Sequence, residues 1–142
     1  MTVVENVMVG TLLRESNTQR ARERSEAILR QVGLHDQANR VTKDLCVPSK
    51  KRLEIAMALA TDREVLMLDE AMAGLNMVEE IVRVINQVLG EDTTILLVEQ
   101  KVREALELAD QAYVLQTGRI VLAGTGNELL RSELVQRAYM GM

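Results

Sequence analysis

Val65-Leu66-Met67-Leu68-Asp69-Glu70 is the stretch that decides the fold. Four consecutive apolar residues follow the polar break Thr61-Asp62-Arg63-Glu64 and stop abruptly at two carboxylates. A short, unbroken apolar run of this kind reads as a strand covered on both faces, as in a parallel sheet. A second such run, Thr93-Thr94-Ile95-Leu96-Leu97-Val98, ends in Glu99-Gln100, and between the two Met77 to Leu89 returns to helical spacing before Gly90. Strand, helix, strand is the βαβ unit of α/β folds. Open α/β sheets place ligands beyond the carboxyl ends of their strands, which makes Asp69 and Glu70 the sharpest local signal for chemistry. In such a place the first acid can hold Mg²⁺, usually through water, and the second can orient or deprotonate an attacking water. Taken alone, the pair also has a plain reading as turn formers or caps of the next helix.

Upstream the chain reads as helical and polar. Thr2-Val3-Val4-Glu5 has capping-box spacing and predicts a short helix to about Leu13. Asn17 or Thr18 caps a second helix through Val32, with Ala21, Ile28 and Leu29 on its apolar face and Gly33 ending it. Leu34 to Asn39 suggests a further helical turn, and His35, the sole histidine, reads as a surface residue there. From Ser49 a longer helix is expected to bury Leu53, Ile55, Ala56, Leu59 and Ala60, with Pro48 at or just before its first turn. Downstream, Val102 to Ala109 forms a helix. Ala112-Tyr113-Val114-Leu115-Gln116 and Arg119-Ile120-Val121-Leu122-Ala123 form a hairpin about Thr117-Gly118, and one or two helices close the chain near Tyr139. The stretch Gly124-Thr125-Gly126 is a turn; as a dinucleotide fingerprint it would need its third glycine where Leu129 stands.

Composition narrows the function classes. The chain has 142 residues, 17 basic against 21 acidic side chains and a net charge of −4, with both signs interleaved. That is ordinary for one compact domain able to bury roughly 70% of its unfolded surface, and it argues against DNA or RNA as partner, which calls for a basic stripe. With no Phe or Trp and only two tyrosines, stacking of bases on aromatic platforms is nearly excluded. The eight methionines read as core filler rather than a promiscuous binding surface. A single cysteine, Cys46, forms no internal disulfide. No apolar run approaches a membrane span and Met1-Thr2-Val3-Val4-Glu5 lacks signal-peptide layout, so a cytoplasmic location without direct membrane insertion is expected.

The assembled string resembles the ATP-binding subunit of ABC transporters, and among these the branched-chain amino acid importers. Val65 to Glu70 resembles the Walker B strand with its following glutamate, and Ala73-Gly74-Leu75-Asn76 the D-loop in the form those importers use. Arg52-Leu53-Glu54-Ile55-Ala56 is similar to the helix after the signature motif, and Met1 to Val7 to the start of the helical subdomain. Val98-Glu99-Gln100, Gly118-Arg119-Ile120-Val121, Ala123-Gly124-Thr125-Gly126 and Ala138-Tyr139-Met140-Gly141 are similar to the closing half of one importer subunit. The resemblance implies an α/β, P-loop NTPase sheet, incomplete here. Residues 1–48 would form a small helical subdomain with a degenerate signature, and 49–142 the C-terminal half of the ATPase core.

It also implies roles: Asp69 would organise Mg²⁺, Glu70 would act on water, Gln100 would sit near the γ-phosphate, and Ala73 to Asn76 would contact a dimer partner. The signature aligns with Leu45-Cys46-Val47-Pro48, where the family normally has Leu-Ser-Gly-Gly-Gln or a variant with an aromatic third residue. Its task needs a hydroxyl, a glycine amide and a helix N-terminus aimed at phosphate. Cysteine is a weaker donor and Pro48 has no amide, so the motif reads as damaged. Lys50 and Lys51 could restore charge but not a fixed backbone nest. Glutamine at position 100, where histidine is usual, can hydrogen-bond a phosphate but carries no proton. Ala71 replaces a common proline without removing a reactive group.

None of Lys43, Lys50, Lys51 and Lys101 follows a glycine, so the phosphate-cradling Walker A loop is missing from the sequence. The chain therefore reads as the second part of a subunit. ATP and Mg²⁺ are the implied cofactors, with the alternative that this chain alone binds neither. Another ATPase subunit and membrane permease subunits are the implied partners, which would make the protein peripheral at the inner face of the cell membrane. Two functions stay open: an ATP-binding fragment of an importer, inactive alone, or a non-catalytic module that binds a permease or a full-length ATPase subunit.

Overall fold

The structure, a computed structural model, describes residues 1–72, 82–86 and 94–139. They fall into two compact units, Met1–Leu97 and Val98–Met142.

The first unit opens with helix α1 (Val3–Thr11), whose N-terminus carries the expected capping box. Glu5 N–H donates to Thr2 Oγ1 at 3.4 Å, and Thr2 N–H donates to Glu5 Oε2 at 2.7 Å. The first two helical amides have no partner within the helix. Here Val3 N–H donates to the Arg40 carbonyl and Val4 N–H to that of Ala38, both at 2.9 Å. The Leu34–Arg40 connection, with a 3₁₀ turn at His35–Gln37, thereby seats the start of α1. Helix α2 (Thr18–Gln31) starts at the Asn17 cap and ends at Val32, with Gly33 in the left-handed region as its spacing predicts. Its buried face is Ala21, Ser25, Ile28 and Leu29. The polar member is matched: Ser25 Oγ lies 3.0 Å from Thr11 Oγ1, and both hydroxyls donate to the Ala21 carbonyl.

A second 3₁₀ turn (Thr42–Asp44) leads to helix α3 (Val47–Leu59), which begins two residues before the expected Ser49. Proline costs nothing at a position whose amide lies outside the helical bonding pattern, so the helix runs back through Pro48 to a Cys46 cap. Leu53, Ile55, Ala56 and Ala60 are buried as expected, whereas Leu59 is only half-buried. Helix α1 crosses α3 closely at Gly10, where a Cβ would stand 2.7 Å from Ala60 Cβ.

Strands β1 (Val65–Asp69) and β2 (Thr94–Val98) form a two-stranded sheet. Thr94 N–H donates to the Glu64 carbonyl at 3.0 Å, so the strands start side by side and run the same way. Full burial of the first run is not observed. Leu66 and Leu68 are buried, while Val65 and Met67 are 53% and 72% exposed. The strand therefore has one face in the core and, among the described residues, one face uncovered. Residues 82–86, helical and labelled α4, carry buried Val84 and Ile85. The remainder of the expected 77–89 helix, with Gly90 and Thr93, lies outside the described residues.

The second unit comprises α5 (Val102–Leu108), the antiparallel hairpin β3 (Ala112–Gln116) and β4 (Arg119–Gly124), α6 (Gly126–Leu130) and α7 (Glu133–Tyr139). Thr117 (φ 50°) and Gly118 (φ 73°) make the two-residue turn in the left-handed region, whose twist suits a hairpin. Leu106, Leu129 and Val135 form the core, with Val102, Ala112, Val114 and Leu122 packed on it. Thr125 and Glu128 make a second capping box, starting α6.

Candidate functional site

Asp69 is the last residue of β1 and Glu70 follows it; both are exposed. Glu70 adopts φ 49°, an uncommon conformation for a residue with a side chain, which turns the chain sharply off the strand into buried Ala71 and Met72. The strand's alternation puts Leu66 and Leu68 inward and carries the two carboxylates out beyond its end. Among the described residues no group of three His, Cys, Asp or Glu side chains could hold a metal by itself.

The four signature-aligned residues are brought together at the start of α3. Leu45 is buried, Cys46 is the exposed cap, Val47 is exposed and Pro48 is half-buried. Of the four, Cys46 alone makes a side-chain hydrogen bond to Ser49. This serine is 1% exposed, and its Oγ accepts from Cys46 Sγ at 3.3 Å and makes long contacts with Gln37 Nε2 (3.4 Å) and Arg52 Nη2 (3.5 Å). Arg52 Nη1 also donates to the Gly33 carbonyl at 3.3 Å, so the node ties the end of α2 and the first 3₁₀ turn to the start of α3. Once ionised, Cys46 accepts instead from the Ser49 hydroxyl and then its amide, which holds the thiol below the ordinary cysteine range, with a smaller attraction from Arg52. Ser49 is not among the sequence-predicted site residues; the signal for it is a serine three residues after the helix cap with Arg52 a further three residues on.

Gln100 is exposed in the second unit, two residues past β2. Ala73, Gly74, Leu75 and Asn76 lie outside the described residues.

Residues 1–73 match the ABC transporter family. The chain belongs to the ABC transporter ATP-binding family. As an ABC chain it is 34% identical to the high-affinity branched-chain amino acid transport ATP-binding protein LivG of Salmonella typhimurium, over 99% of this chain and 62% of LivG. It is 29% identical to the lipopolysaccharide export system ATP-binding protein LptB of Haemophilus influenzae, over 99% of this chain and 60% of LptB. Among solved structures, cbiO1 from Clostridium perfringens, part of the ABC transporter complex cbiONQ, superposes with a TM-score of 0.85 at 27% identity, covering 96% of this chain and 55% of that one. The expected ABC-ATPase α/β fold is thus borne out. The chain spans about three fifths of the length of these curated relatives.

The donors present fit the cofactors of an ABC ATPase only in part. Mg²⁺ is commonly held by one or two carboxylates with substrate phosphates and water completing its shell, and the Asp69–Glu70 pair is of that type. Phosphate recognition at a helix N-terminus needs free amides, and at α3 Pro48 withholds one while the Cys46 thiol is engaged by Ser49.

Proposed function

We propose that this chain is the part of an importer-type ATP-binding subunit that runs from the helical subdomain, residues 1–48, through the C-terminal half of the ATPase core, residues 49–142, and that it does not turn over ATP alone. The observation that carries this reading is the contrast between an exposed carboxylate pair at the end of β1 and an α3 N-terminus where Pro48 withholds one amide and the Cys46 thiol is engaged by Ser49. In the parent subunit Mg²⁺ would neutralise phosphate charge. Asp69 would hold it, Glu70 would orient or deprotonate water, Gln100 would hydrogen-bond near the γ-phosphate, and Ala73 to Asn76 would meet the partner subunit. Phosphoryl transfer rests mainly on fixed electrostatic clamping, and one lost donor of that kind typically costs about 3 kcal/mol. Transport of branched-chain or other hydrophobic amino acids is supported by the LivG similarity, and lipopolysaccharide export by the lower LptB identity is the competing assignment. Partners are a second ATP-binding subunit and permease subunits, reached from the cytoplasmic face; no helix among the described residues is long and apolar enough to cross a membrane.

A second reading, a non-catalytic module that docks on a permease or a full-length ATPase subunit, is favoured by the open face of β1 at Val65 and Met67. One experiment addresses both. Calorimetry of the purified chain with Mg-ATP should show no binding at millimolar nucleotide; binding that disappears in Asp69→Asn but persists in Glu70→Gln would overturn the proposal of incompetence. Sedimentation of the same samples, with Met67→Lys as control, reports association through β1, and a monomer unaffected by Met67→Lys would remove support for the second reading.

A further inference from the structure

We draw no further inference here: the strongest candidate, the open cleft of about 530 Å³ between α2, the C-terminal turn of α3 and β1, lined by Ile28, Leu59, Leu66 and Met67 beside the Arg24–Asp62 ion pair, is an unpartnered groove, and nothing in the structure shows what covers it.

Discussion

Replacing Gly10 with alanine tests the packing that holds the helical part of the first unit together. A Cβ at position 10 would lie 2.7 Å from Ala60 Cβ and 3.2 Å from both the Ala60 carbonyl carbon and the Met57 carbonyl oxygen. Carbon atoms in ordinary contact sit about 3.5–4.0 Å apart, so α1 must retreat from α3 by the better part of an ångström. Overpacking of this kind costs roughly 1–3 kcal/mol. Alanine's better helix propensity returns up to about 1 kcal/mol. The expected net loss is therefore about 1–2 kcal/mol, read as a lower urea midpoint with unchanged slope in equilibrium unfolding followed by circular dichroism. Ala60→Gly in the same chain removes the shortest contact but leaves the two backbone ones, so it should recover part of the loss, giving a coupling of about 1 kcal/mol in the double-mutant cycle. Gly126→Ala serves as the contrasting case. Its Cβ would strike the carbonyl oxygens of Leu106 and Ala109, which no second substitution can trim, and the loss should exceed that at Gly10. A Gly10→Ala chain as stable as the parent, or one that Ala60→Gly fails to relieve, would refute the reasoning.

Thr117→Asn should stabilise the hairpin by about 0.5–1 kcal/mol, seen as a higher melting temperature, because a β-branched residue at φ 50° gives way to one that favours that turn. Ser49→Ala should cost about 1 kcal/mol in the same unfolding assay and should move the pH profile of Cys46 alkylation upward, since the hydroxyl that favours the thiolate is gone. Glu5 and Glu128 are held below the ordinary glutamate value, first by the backbone amides and then by the hydroxyls of Thr2 and Thr125. A lowered folded-state pKa means stability that is complete above the unfolded glutamate range and fades as pH falls through the folded values. The Glu5→Gln/Glu128→Gln chain should accordingly lose less stability than the parent between about pH 5 and about pH 3.

Local signals with a single physical cause were legible. The Thr2–Glu5 box, the Asn17 cap, the Gly33 stop and the Thr117-Gly118 turn each depend on residues within a few positions of one another, and each stands where its spacing places it. The second box, Thr125–Glu128, carries the same Thr-x-x-Glu signal, but the flanking Gly124 and Gly126 give the stretch the look of a glycine turn. What depends on distant packing was not legible. The run from Val65 to Leu68 is apolar at every position, so it cannot say which face meets a neighbour, and the structure covers only the side of Leu66 and Leu68. At the site, the exposed position of Asp69 and Glu70 followed from their place after an apolar run. The engagement of the Cys46 thiol by Ser49 did not, because it depends on Ser49 being buried among Cys46, Gln37 and Arg52.

Asp62 (φ 56°) and Glu70 (φ 49°) stand on either side of β1 as two backbone corners. A strand framed in this way tolerates exchange of side chains far better than a change of length. One residue inserted between Val65 and Leu66 would invert the parity of everything after it, turning Leu66 outward and Met67 inward. The same shift would displace Asp69 by about 3.3 Å along the strand. In evolution and in engineering alike, the placement of the carboxylates is therefore bound to the number of residues in β1, not to the identity of any one of them.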